Sequence, residues 1–254
     1  MNVLLLHFEM ANSTTKTQGI VLSTIPYNDR TQFVHIYTER LGKVTCKMTV
    51  TRLHRHGGQR MLYAPLSVLD MILESRAGQE ILSIKEANLL LSPYTLSMTD
   101  PSKTAQCLYM AELLDKTVKE VEPNAPLWQF IHHSVELLQL SQSGSANFHL
   151  IFTTRLCHLI GFHVDNSAYR PGMQFDISEG IYTSAPIHHP YYLTPESTTW
   201  LHQLLDTSFS HLDNLPLTRE QRNTLLDMML TFLRIHLPEI GTLRSVDVLK
   251  ELFI

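Results

Sequence analysis

Seven basic side chains fall between positions 30 and 60: Arg30, Arg40, Lys43, Lys47, Arg52, Arg55 and Arg60, with Glu39 as the single acid among them. Guanidinium and ammonium groups at this density suit one chemistry above others, the neutralisation of a row of phosphates. Aromatic rings are interleaved with them, at Phe33, Tyr37 and Tyr63. A ring beside a cation can stack an unpaired base, at roughly 1–3 kcal/mol per base. His54 and His56 could add hydrogen bonds, or charge at low pH. A plainer explanation stays open, in which the charges are solvated loop residues and the rings fill a core.

The elements that would carry these residues read as strands. TQGIVLSTI (17–25), QFVHIYT (32–38) and KVTCKMTV (43–50) are short and rich in β-branched and aromatic residues. Turn formers separate them: Pro26, Asn28 and Asp29, then Gly42. In the second, Phe33, His35 and Tyr37 alternate with Val34 and Ile36, giving one aromatic and polar face and one aliphatic face. LSVLDMILES (66–75) and EILSIKEANLL (80–90) follow across Ala77-Gly78, after a basic loop at 53–60. This cadence predicts a five-stranded OB-fold barrel, the commonest small barrel that binds oligonucleotides, and leaves open which face would hold them.

At Asp100-Pro101 the period changes from two to 3.6. Asp100 suits an N-cap and Pro101 a first helical position. Cys107, Met110, Ala111, Leu114, Val118 and Val121 mark one helical face, and Leu127, Phe130, Ile131 and Leu138 a second. The linker SQSGS (141–145) leads to a third helix, Ala146–Ile160, closed by Gly161. Residues 161–193 are irregular, with a small hairpin expected around Gln174–Thr183. Thr194-Pro195 opens a fourth helix, and Thr218 with Gln221 makes a capping box for a fifth; Ser245–Phe253 reads as a short last one. The fold class is therefore α+β, with a barrel domain at 1–95 and a mostly α-helical domain at 96–254 that carries an irregular insertion at about 161–193.

Charge divides at the same boundary. Residues 1–95 carry ten Lys/Arg against seven Asp/Glu, net +3, and residues 96–254 carry ten against seventeen, net -7. A polyanionic partner for the first part follows, although the whole chain is net -4.

Other constellations are weaker. The 14 histidines include His132-His133 and His188-His189, but no HxxxH or HExxH spacing is present, and surface or capping roles suit them better than a metal site. The P-loop, the nucleophile elbow and the Rossmann glycine pattern are all missing, so the reading is non-enzymatic, with no catalytic residue, cofactor or metal. Arg155 stands out because it falls within an apolar stripe, four after Ile151, three after Phe152 and four before Leu159. It could pair internally with Glu112, Asp115 or Glu136, or stand at the mouth of a groove suited to an acidic, aromatic peptide ending in a carboxylate. Cys46, Cys107 and Cys157 lie far apart and fit a reducing cytosol. The opening MNVLLLHFEM has neither the basic flank nor the cleavage site of a secretory signal, and Met10 is an alternative start.

The segment KTQGIVLSTIPYNDRTQFVHIYTERLGKV (16–44) is similar to the start of the bacterial RecO family. It carries, in order, the strand Thr17–Leu22, the turn Tyr27–Arg30, the strand end Thr38–Lys43 and the basic loop Arg52–Arg60. The likeness continues through RMLYAPLSVLDMIL (60–73) and CLYMAELLDKTV (107–118). It ends in FLRIHLPEIGTLRSVDVLKELF (232–253), which resembles members of the Bacteroides branch. The resemblance implies a DNA repair and recombination mediator, cytoplasmic and nucleoid-associated, with no membrane partner. Such a protein binds single- and double-stranded DNA, anneals strands, and acts with RecR to load RecA onto strands coated by single-stranded-DNA-binding protein (SSB). Some members read the acidic SSB tail through a pocket in the helical domain, and Arg155 is the candidate for it here. Many hold zinc through two CxxC pairs after the third helix, but Gly161–Leu193 contains no cysteine, so that loop would rely on its own packing through Phe162, Tyr169, Phe175 and Tyr182. The alternative is a protein–protein adaptor whose barrel binds a protein and has no DNA activity of its own.

Overall fold

The computed structural model describes residues 13–49, 62–94, 100–119, 121–141 and 145–252. The chain divides into two compact units. One runs to Ser92 and includes Lys119–Trp128; the other holds Pro93–Val118 and Gln129–Ile254. The boundary expected between residues 95 and 96 falls outside the described residues, as does the N-terminal start. The return of Lys119–Trp128 to the first unit is something strand and helix patterning cannot register.

The first unit is a closed barrel of β1 (Ser13–Asn28), β2 (Thr31–Thr38), β3 (Gly42–Thr49), β4 (Val68–Ser75) and β5 (Leu82–Leu91), in the order β1-β2-β3-β5-β4. All neighbours are antiparallel except β3 and β5, which pair in parallel through Cys46↔Leu82 and Lys47↔Ser83. This is the five-stranded OB-fold expected from the strand cadence. Alternation sorts the faces as read: Val34 and Ile36 are fully buried and join Val21, Cys46, Leu69 and Met71 in the interior. Each such side chain contributes roughly 1.5–3 kcal/mol of burial. Gly19 on β1 sits where no side chain fits, since a Cβ there would lie 2.6 Å from Ile36 Cγ2 and 2.3 Å from Met71 Cε.

The second unit contains most of six helices: α1 (Pro101–Thr117), α2 (Ala125–Leu140, whose first turn belongs to the barrel unit), α3 (Phe148–Leu159), α4 (Pro195–Asp206), α5 (Arg219–His236) and α6 (Ser245–Leu252). Their starts follow the caps in the sequence. The Asp100 carboxylate accepts from the Ser102 and Lys103 amides at 2.9 and 3.3 Å. Thr218 and Gln221 close a reciprocal capping box. Glu112 of α1 accepts from the Arg244 and Ser245 amides and the Ser245 hydroxyl, fixing the start of α6. Partial burial raises its pKa, but those hydrogen bonds outweigh burial and hold the carboxyl below its ordinary range.

His149 on α3 is buried, edge-on to Tyr109. Burial, aided by Arg222, pushes its pKa down to about 3. An unfolded chain takes up this proton near the ordinary histidine value while the folded one resists. His149 therefore costs nothing above that value and destabilises progressively as pH falls from about 6.5 toward 3. In melts across this window, His149→Phe is expected to flatten the acid loss by up to about 1.4 kcal/mol per pH unit; an unchanged slope would refute the assignment.

All three cysteines are buried, Cys46 in the barrel and Cys107 and Cys157 in the helical unit. Burial pushes each thiol up to about 12. Among the described residues, no helix is long and apolar enough to cross a membrane.

Candidate nucleic-acid interface

In an antiparallel pair, directly opposed residues share a face. The register Phe33↔Lys47, His35↔Thr45 and Tyr37↔Lys43 therefore puts an aromatic and basic row on the outer side of β2 and β3. Lys47 is exposed, and Lys43, His35 and Phe33 are half-buried. Arg30 continues the row at the β1–β2 turn, which Asn28 shapes by accepting the Arg30 amide at 3.0 Å. Arg40 ends it at the β2–β3 turn, where its guanidinium donates to the Lys16 carbonyl at 3.3 Å. Eight residues of strand separate the two turns, about 25 Å of track. A backbone laid along it would meet Arg30, Lys47, Lys43 and Arg40 in turn. Arg52, Arg55 and Arg60, with His54 and His56, lie outside the described residues.

Two of the three expected stacking platforms are corrected. Tyr37 faces outward, but it is fully buried, its ring 6.3 Å from that of Trp128 in the segment that returns to the barrel unit. Tyr63 is also buried, within the barrel interior. The open ring is one the sequence did not single out: Tyr27, 69% exposed, lies against Phe33 at 5.2 Å and 58°. Its position at the end of β1, beside the β1–β2 turn of an OB barrel, was the available signal. Tyr27→Ala with Phe33→Leu is expected to weaken single-strand binding about tenfold, while the salt dependence stays near wild type, because stacking carries no counterion release. A titration at two salt concentrations checks both.

Of the two alternatives for Arg155, the internal ion pair is not the one found. Arg155 is exposed rather than held in the apolar stripe, and it donates to the Thr207 carbonyl at 3.2 Å. Among the described residues it forms no ion pair; Glu112 is spent on α6 and Glu136 lies beside His132 and His133. Arg155 instead lines a cavity of about 330 Å³ in the helical unit, with Phe175, Leu201, Leu205, Met228 and Phe232 as apolar lining and His158 and His163 as polar lining.

Both units match one family. Its N-terminal description, recombination protein O N terminal, covers residues 10–93, and recombination protein O C terminal covers residues 98–245. The chain belongs to the RecO family. The DNA repair protein RecO of Bacteroides fragilis is 34% identical over 239 residues, which is 94% of this chain and 98% of that protein. That of Phocaeicola vulgatus is 32% identical over 238 residues, with the same coverage. That of Porphyromonas gingivalis is 28% identical over 242 residues, 93% of this chain and 98% of the relative.

The cysteine-free stretch of this RecO-family chain has its own construction. A small antiparallel sheet forms from β6 (Gln174–Asp176), β7 (Ile181–Thr183) and β8 (Tyr192–Leu193), extending the expected hairpin by a strand. Tyr169 stacks on His202 at 4.1 Å and meets Tyr182 at 5.5 Å, while Phe175 meets Tyr182 at 5.2 Å. Phe162 packs edge-on to Phe232. Asp176, nearly buried, accepts from the Ser178 hydroxyl and amide and the Glu179 amide, and its second oxygen lies 3.2 Å from His189 Nε2. Among the described residues, no three His, Cys, Asp or Glu side chains gather as a metal site.

Proposed function

We propose that this chain is a DNA repair and recombination mediator. It binds single- and double-stranded DNA along the β2–β3 face and anneals complementary strands, and it acts with RecR to load RecA onto SSB-coated DNA. The observation that carries this reading is the match to both RecO family descriptions, in order, across barrel and helices. The row Arg30, Lys47, Lys43 and Arg40 beside Tyr27 and Phe33 supports the DNA part, as it has the two ingredients of a sequence-tolerant strand binder. Annealing then needs no catalytic group, because cations that screen phosphates on two strands lower the cost of bringing them together. Fluorescence annealing of complementary oligonucleotides, with and without SSB, tests this. A chain that neither binds nor anneals at about 50 mM salt leaves the adaptor reading.

The SSB tail is assigned to the Arg155 cavity, whose apolar lining and cationic rim suit an apolar terminal side chain and its carboxylate. Arg155→Ala is expected to weaken an SSB-tail peptide by about tenfold or more in fluorescence anisotropy, the cost of one charge-assisted hydrogen bond. Equal binding by wild type and variant would remove Arg155 from the site.

A further inference from the structure

Two histidines share the rim of the cavity with Arg155. His158 stands in the last turn of α3, where a helix favours positive charge. Gly161, at φ +97°, reverses the chain, and the Phe162 amide donates back to the Cys157 carbonyl at 2.8 Å. The reversal sets His163 over His158, with Nδ1 to Nδ1 at 2.8 Å and rings at 71°. At that distance one Nδ1–H donates and the other Nδ1 accepts. A further proton then goes to the outward Nε2 of the donor ring. The pair gains one charge, keeps its internal hydrogen bond in charge-assisted form, and presents two outward Nε2–H donors.

The surroundings leave a use for that charge. Residues 96–254, which hold the cavity, are net -7, and Arg155 is the one permanent cation among its described lining residues. A peptide carrying both acidic side chains and a terminal carboxylate brings more negative charge than one guanidinium can match. The other titratable groups nearby are already engaged. Asp165, also on the rim, accepts from the Ser167 amide and hydroxyl at 3.1 and 2.6 Å and faces His163 electrostatically. On α4, His202 and Asp206 are tied to each other and to Asn166, and on α5 His236 packs against Phe162 and Phe232.

We propose that His158 and His163 act with Arg155 as a proton-loaded carboxylate clamp, so that an acidic peptide with a free C-terminal carboxylate binds this cavity together with a proton. This rests on the cavity being the peptide site. Imidazole is the side chain whose chemistry allows such a proton to be gained or lost without breaking the pair, and the linkage is read by comparing pH 8 with pH 6.

The probe is a synthetic acidic peptide ending in Phe with a free carboxylate, beside its C-terminal amide. Titration calorimetry in two buffers of different ionisation enthalpy reads proton uptake directly. Wild-type affinity is expected to rise about three- to tenfold from pH 8 to pH 6, with a fraction of a proton taken up per peptide. His158→Gln and His163→Gln are expected to keep roughly the pH 8 affinity and lose the rise, while His202→Gln keeps the wild-type profile; melting curves confirm folding. The amide peptide loses the pH-dependent part. Wild-type binding that is flat with pH, or a rise that survives both histidine substitutions, overturns the clamp and leaves the peptide site standing. Absence of wild-type binding at both pH values overturns the peptide site, and the clamp with it.

Discussion

With alanine at Arg30, Arg40, Lys43 and Lys47 together, single-stranded DNA affinity is expected to fall roughly 1,000- to 10,000-fold at about 50 mM salt. The size follows from counterion release. Each phosphate contact on a single strand contributes about 0.7 to the slope of log K against log salt, so four lost contacts remove about 2.8. If the proposed track is right, the loss should be uniform across sequences, because cations that contact phosphates carry no base readout. Lys43 and Arg40 also make contacts within the protein, so a melt must show that the variant folds. Unchanged affinity and slope in a folded variant would place the strand elsewhere, with Arg52, Arg55 and Arg60 next to test.

The second large effect concerns the scaffold under that face. Gly19→Ala is expected to cost about 1–3 kcal/mol of barrel stability, the usual penalty for overpacking. The Met71 methyl can swing aside, but Ile36 Cγ2 is attached at a branched Cβ and cannot move without β2. Ile36 sits between His35 and Tyr37, so displacing it also disturbs the outer row. Pairing Gly19→Ala with Ile36→Ala removes the obstructing methyl, and the double variant should lose less than the two single losses combined. Chemical denaturation of the four proteins measures this directly, and strict additivity would mean that the contact is not the cause.

Much of this was legible because local rules and tertiary structure agree. Strand alternation sorted Val34 and Ile36 inward, and the residues at Asp100, Thr194 and Thr218 marked the helix starts that form. The fates of Tyr37 and Tyr27 were not legible. Alternation gives the side of the sheet but not what covers it, and Tyr37 is covered by Trp128, ninety-one positions downstream. Tyr27 sits where the β1–β2 register shifts between Pro26 and Asn28, so a period of two says nothing about its direction. For Arg155, helical spacing left an internal ion pair and a groove mouth both open, and only the packing of α4, α5 and the 162–167 loop puts it in the wall of a cavity. The pairing of His158 with His163 depends on a single left-handed residue, Gly161, and spacing alone does not give the angle between the rings.

The deep placement of Cys46, Cys107 and Cys157 also bears on how the molecule ages. Thiols react with peroxides and electrophiles as thiolates, and groups pushed up to about 12 hold only about one part in 10⁵ as thiolate at neutral pH. Oxidants that break DNA also consume accessible sulfur, inactivating proteins that display it. A chain whose thiols are all sealed in its two cores is chemically slow toward the same insult that creates its proposed substrate.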